Sequence, residues 1–305
     1  MKILLIGTGS IANRHLKNIV KIRPDTVFYV YSRSNRTILN AIKIYKDELF
    51  DHSYDLVIIA SESDKHDSDL EMVLNLKTTK ILLEKPASLD LKAADKLGLR
   101  IDQDNVDVRI GYDLRYHDGI RYLKDKFHEE ISLNENIIIN SQVGQNLRTW
   151  RESDDNFESY SFEQSKSGGV INDLSHELDF INYITNEKLS FSKKTLKSKF
   201  FNKNLEDIAF VSATSVGGGV VANFELNCIS HYFYRLIIIH TKGKTYSLNL
   251  INGEYLEYTY GKIKLKRKFN VNRDSRYKKL WKDLIDGPNL LPSYNESINI
   301  LKEIQ

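Results

Sequence analysis

Residues 167–180 read SGGVINDLSHELDF, and within them Asp173, His176 and Asp179 recur every third residue. That spacing places side chains on one face of a helix, so an imidazole and a carboxylate can converge. An imidazole titrates near neutral pH without much tuning, which makes His176 a candidate general acid/base. Asp173 and Asp179 compete as the carboxylate that orients it. Two glycines precede the set and allow a tight turn before the helix begins. A second chemically useful group is Lys85, inside LLEKPAS (82–88). An ammonium at the end of an apolar run can stabilise charge that develops on a substrate oxygen. The third is Gly7-Thr8-Gly9-Ser10-Ile11-Ala12, a GxGxxA turn that follows an apolar run and opens a helical stretch. Together these suggest proton transfer beside a bound dinucleotide.

The elements that must position these groups begin with residues 1–115. Short apolar runs at 2–6, 27–31, 55–60, 80–84 and 106–112 alternate with helix-length segments such as 66–77 and 90–98. Such repetition implies parallel βαβ units in a doubly wound sheet, an α/β Rossmann domain. In its first turn Gly7 permits the tight bend, Gly9 lets the backbone approach a pyrophosphate, and Ala12 allows close helix–sheet packing. Ser10 and Ile11 open the helix, whose positive end faces the phosphates. The second strand ends in YSRSNR, with Ser32, Arg33, Ser34 and Arg36 where an NAD site usually offers a carboxylate. A guanidinium with hydroxyl neighbours suits a 2′-phosphate, so NADP is expected, with NAD as the alternative. A solvated basic loop is the competing explanation.

The bulk numbers bound the reading. A length of 305 residues favours two domains, and 41 % hydrophobic with 28 % charged residues fits a globular protein. Apolar runs such as DLVIIA are too short to cross a bilayer. The first strand starts at Lys2, which leaves no room for a signal peptide, so the cytoplasm is the expected compartment. A single cysteine, Cys228, excludes an internal disulfide and a cysteine-built metal site, and no metal is expected. Its alternating apolar surroundings suit a buried structural thiol. A net charge of +3 gives no electrostatic case for nucleic acid or membrane as the main partner.

The glutamate-lysine-proline tripeptide at 84–86, VIIASESDKH (57–66), GYDLRYH (111–117) and the 167–180 cluster closely resemble the glucose-fructose oxidoreductase / inositol dehydrogenase (Gfo/Idh/MocA) family over nearly the whole chain. The resemblance implies an NAD(P)-binding Rossmann domain joined to a C-terminal α+β domain with a large, mostly antiparallel sheet. It implies catalytic roles for Lys85, Asp173 and His176, and a cofactor contact for Ser61, His66 and Glu84. Ser61-Glu62 stands where the family usually has Thr-Pro, and Asp173 to His176 is one residue shorter than the usual spacing. Tyr112, Arg115 and Asp179 are candidates for substrate contact, with Arg115 equally suited to a structural pair. The DLSHELD variant, preceded by TWRESDDNFESYS, resembles a subgroup associated with bacterial surface-sugar pathways.

The second domain is expected over 116–305, with its last helix a candidate to pack back on the first. Segments 117–127, 173–185 and 295–305 have helical patterning, and 207–268 reads as an antiparallel meander. Its last run, KIKLKRK, fits lysines guarding an edge strand better than a nucleic-acid patch. Tyr232, Phe233 and Tyr234 read as sheet packing. The resemblance implies a homo-oligomer through this sheet. The expected activity is an NADP(H)-dependent oxidoreductase acting on a secondary alcohol or ketone of a sugar-like substrate. An alternative substrate reduced without His176 and a non-catalytic NADP-binding regulator or scaffold are the rival readings.

Overall fold

The computed structural model describes residues 1–34, 36–38, 40–76, 78–134, 136–150, 163–167, 169–198, 200 and 204–304. The chain folds as two compact units, one of residues 1–113 with 273–302, the other of 114–272 with 303–305.

The first unit is built on strands β1 (Lys2–Ile6), β2 (Val27–Tyr31), β3 (Ile42–Lys43), β4 (Leu56–Ile59), β5 (Lys80–Leu83) and β6 (Asp107–Ile110). They form a parallel sheet in the order β3-β2-β1-β4-β5-β6. Helices α1 (Ser10–Val20), α2 (His66–Val73) and α3 (Leu91–Asp104) make the crossovers. Burial on both faces explains why the strands read as unbroken apolar runs: Ile3, Leu4, Leu5 and Ile6 are at most 1 % exposed. Strand order reverses between β1 and β4, so the carboxyl ends of β1, β2, β4 and β5 border the crevice where such sheets bind ligands. The two-residue β3 is an addition to the five expected strands; it is too short to leave a pattern.

The second unit contains α4 (Asp118–Glu129), β7 (Ile137–Asn146), the one-turn helices α5 (Leu147–Trp150), α6 (Gln164–Ser167) and α7 (Val170–Asp173), and α8 (His176–Thr185). Strands β8 (Leu189–Leu196), β9 (Ile208–Ser215), β10 (Val220–Asn227), β11 (Ile229–His240), β12 (Thr245–Asn249), β13 (Glu254–Thr259) and β14 (Lys262–Lys268) follow. Their sheet runs β14-β13-β12-β11-β7-β10-β9-β8; β7 and β10 are parallel and the remaining pairs antiparallel. Alternating burial along β9 and β10 leaves one face covered and the other open. Strand β7 escaped the sequence pattern because IIINSQVGQN loses its apolar character halfway. Backbone bonding to β10 on one side and β11 on the other supplies what its side chains do not. Cys228 is 2 % exposed, between β10 and β11.

The expected second domain of 116–305 needs correction before its last helix, because residues 273–286 too fall in the first unit. Helices α9 (Arg273–Asp286) and α10 (Tyr294–Ile304) lie chiefly in the first unit. Apolar residues explain the return: Tyr277, Leu280, Trp281 and Leu284 of α9 are buried, and Tyr294, Ile298 and Leu301 join the core of the parallel sheet. Among the described residues no helix is long and apolar enough to cross a membrane.

Candidate active site

At the end of β1, Gly7 has φ +103°, and a Cβ there would sit 2.5 Å from the Ala60 carbonyl oxygen. Packing of the first turn against the end of β4 therefore dictates glycine. Gly9 differs. Its φ is −69° and a Cβ would meet nothing within 4 Å, so protein packing does not demand glycine there. The space it leaves lies at the N-terminus of α1, which has no side-chain cap and no acidic residue in its first turn. Ser10 is exposed, Ile11 half-buried and Ala12 fully buried. These residues fit a dinucleotide pyrophosphate, for which the helix end supplies backbone donors and positive potential.

Beyond β2, three hydroxyls close a triangle: Thr8 to Ser34 at 3.0 Å, Ser32 to Ser34 at 3.0 Å and Thr8 to Ser32 at 3.3 Å. Arg33 beside them forks onto Asp69 of α2; Nη1 donates to Oδ2 at 3.1 Å and Nη2 to Oδ1. The Ser61 hydroxyl donates to the same carboxylate at 2.6 Å. Asp69 is fully buried, and its hydrogen bonds hold the Arg33 guanidinium above its ordinary pKa. Arg36 lies on the exposed loop that follows. Thr8 and Asp69 escaped the sequence reading. Thr8 is the free position of GxGxxA, and Asp69 stands three residues beyond His66, where nothing in the pattern marks a cation partner.

At the end of β5, Glu84 is 8 % exposed and accepts from His15 of α1, Nε2 to Oε1 at 2.8 Å. The His15 ring is set edge-on to Tyr277 and Trp281, each 5.3 Å away. His66 turns Nδ1 to the Pro86 carbonyl at 2.8 Å and Nε2 to the Ser61 carbonyl at 3.2 Å. Glu84 and His66, expected at the cofactor, thus turn toward the protein and brace the segment that carries Lys85. Lys85 itself is half-buried. Glu62 holds φ −67°, about the value proline would fix, so the turn keeps its course without the usual Thr-Pro.

In the second unit, Asp173 closes α7 and His176 opens α8, with Leu174 and Ser175 between them. The expectation of one continuous helix is corrected. The Ser175 hydroxyl donates to the Asn172 carbonyl at 3.0 Å, competing with the helical ladder as serine side chains do. Gly169 has φ +79°, a backbone region that favours glycine. Its neighbour Gly168 and residues 151–162, including most of the TWRESDDNFESYS stretch, lie outside the described residues.

Two ion pairs with buried carboxylates clamp the first turn of α8. Arg115 forks onto Asp179, Nε to Oδ2 at 3.0 Å and Nη2 to Oδ1 at 2.7 Å, with side chains 5 % and 2 % exposed. Arg235 of β11 lies beside Glu177, Nε to Oε1 at 2.7 Å. Of the two readings open for Arg115, the structural pair is the one observed, and the Asp179 carboxylate is taken up by that fork. Tyr112, a substrate candidate, is 3 % exposed within the core of the first unit, so that expectation is corrected: its ring is a packing element.

Residues 1–112 match the model of the Gfo/Idh/MocA oxidoreductase family, described by its NAD-binding Rossmann fold. The chain is 22 % identical over 267 residues to an inositol 2-dehydrogenase/D-chiro-inositol 3-dehydrogenase of Lacticaseibacillus casei, covering 83 % of this chain and 72 % of that one. In fold it is similar to a UDP-N-acetylglucosamine 3-dehydrogenase from Acidithiobacillus ferrooxidans, with TM-score 0.77 and 17 % identity over 99 % of this chain and 94 % of that one. An inositol dehydrogenase homolog from Azotobacter vinelandii, solved with NAD+, superposes with TM-score 0.76 at 11 % identity, covering 99 % and 92 %.

Proposed function

We propose that the chain is a member of the Gfo/Idh/MocA oxidoreductase family, whose model its residues 1–112 match, and that it oxidises or reduces a secondary alcohol or ketone of a sugar-like substrate with NADP(H). The observation that carries the cofactor reading is the open space at Gly9 before an uncapped helix end, with the hydroxyls of Thr8, Ser32 and Ser34 at the neighbouring strand end. The dinucleotide supplies hydride chemistry when bound.

The protein supplies binding, orientation and proton transfer. Backbone donors at Gly9, Ser10 and Ile11 hold the pyrophosphate, and Ser32, Ser34 and Arg33 hold the 2′-phosphate. The Lys85 ammonium donates to the reacting oxygen and stabilises charge developing on it. His176 takes the hydroxyl proton in oxidation and returns it in reduction. Asp173 orients the His176 imidazole or holds a neighbouring substrate hydroxyl. A role in surface-polysaccharide sugar metabolism draws support from the fold shared with a UDP-N-acetylglucosamine 3-dehydrogenase.

A homo-oligomer through the open face of the second unit's sheet draws support from Ile138 and Val221. They are paired in register and 47 % and 39 % exposed.

The test is titration with NADPH and NADH by nicotinamide fluorescence. Tighter NADPH binding is expected. Equal binding of the two removes the 2′-phosphate role of the β2 end, and binding of neither removes the enzyme reading.

A further inference from the structure

We propose that Asp69 determines cofactor selectivity, by holding and neutralising the arginine that meets the 2′-phosphate; this rests on the NADP reading above. Asp69 is fully buried, and its carboxylate accepts from both terminal nitrogens of Arg33 and from the Ser61 hydroxyl. Its place in the first turn of α2 adds the favourable end of a helix dipole. Turning Arg33 away onto a ligand would leave a buried carboxylate with one hydroxyl donor, so the guanidinium stays where it is.

A guanidinium has five N–H donors in a fixed fork. Asp69 uses one on each terminal nitrogen and leaves Nε–H and two outer hydrogens. The Arg33 side chain is 44 % exposed, which leaves room for a phosphate on that remaining edge. The triangle of Thr8, Ser32 and Ser34 hydroxyls can turn its protons to the same anion. The 2′-phosphate therefore gains hydrogen bonds, while the positive charge it would seek is already compensated at contact distance. Selectivity for NADP over NAD is held lower than an unpaired arginine would give. It can be raised by removing one charge outside the ligand's reach.

Dissociation constants for NADPH and NADH, read by nicotinamide fluorescence on the full chain, test this with Asp69→Asn, Arg33→Ala and the double variant. Asp69→Asn keeps an acceptor for Ser61 and Arg33 but removes the charge. It should raise the preference for NADPH about tenfold, the size of one partly screened charge contact. The double variant should lose that gain. A preference unchanged in Asp69→Asn, or moved toward NADH, overturns the proposal. If Asp69→Asn does not fold, the wild-type protein is titrated with adenosine 2′,5′-bisphosphate and 5′-AMP over a salt series. A compensated site gives parallel salt dependence for the two, and a markedly steeper dependence for the bisphosphate overturns it. Wild-type binding of both dinucleotides with an unmoved ratio sinks this proposal alone. Binding of neither sinks the cofactor reading with it.

Discussion

Gly9 separates what packing requires from what a ligand requires. Replacing Gly7 by alanine drives a Cβ into the Ala60 carbonyl at a positive φ, and stability should fall for reasons unrelated to function. Gly9→Ala meets open space at an ordinary φ, so stability should move by no more than about 0.5 kcal/mol. Dinucleotide affinity should nevertheless drop by about tenfold or more, because the new methyl stands where the pyrophosphate approaches. Unchanged affinity in calorimetry would mean that the ligand passes elsewhere. Lys85→Ala should lower turnover by roughly 10² to 10⁴ while leaving dinucleotide binding nearly intact. At this scale the sequence was readable where a residue type is demanded by local chemistry, as in GxGxxA and the 84–86 tripeptide. It was unreadable where the partner is remote: His15 for Glu84, Asp69 for Arg33 and Arg235 for Glu177 are 69, 36 and 58 residues apart. Spacing along the chain says nothing about contacts of that reach.

The element that carries His176 is held by its neighbours more than by its own helix. Helix α8 begins after the break at Leu174 and Ser175, and its first turn is fixed by Arg115 and Arg235. Arg115→Ala leaves the Asp179 carboxylate buried without its fork and should cost about 3 to 5 kcal/mol in urea unfolding. The double change Arg115→Met with Asp179→Leu should recover most of that loss, because no buried charge remains. Equal losses in both variants would show that packing, not the charge pair, matters there. Helix α4 ends on a second charged junction. Lys244 and Lys126 hydrogen-bond Glu130 and hold its carboxyl down to about 2 from an ordinary 4.5. A depressed acid contributes stability that is complete above its unfolded pKa and lost as pH falls through the folded one. Melting temperature should therefore decline between pH 4.5 and about 2, and Glu130→Gln should flatten that limb of the curve. The strand-rich meander was legible from its alternation. The helix break was not, since DLSHELD keeps helical spacing through the two residues that interrupt it.

At the scale of the whole chain, a doubly wound nucleotide-binding unit is followed by a large, mostly antiparallel sheet, and the chain then returns to complete the first unit with α9 and α10. That return has a consequence. Deleting residues 273–305 removes Trp281, Tyr277 and the α10 contribution to the parallel-sheet core, so the truncated chain should lose dinucleotide binding although it retains GxGxxA. A linear boundary near 115 would predict the opposite. The sequence announced strand–helix alternation at the start and offered its last helix as a candidate to return, but gave no sign that α9 belongs there too, because amphipathic helices do not name their partner. The central claim is hydride exchange assisted by Lys85 and His176. Its most direct measurement follows nicotinamide absorbance when the wild-type protein, Lys85→Ala and His176→Ala are mixed with NADP+ or NAD+ and a panel of inositols, sugars and nucleotide sugars. The account predicts turnover of at least one polyol or sugar by the wild type, faster with NADP+, and its near loss in both variants with binding retained. Turnover that survives both substitutions, or its absence for every substrate despite tight dinucleotide binding, would contradict it.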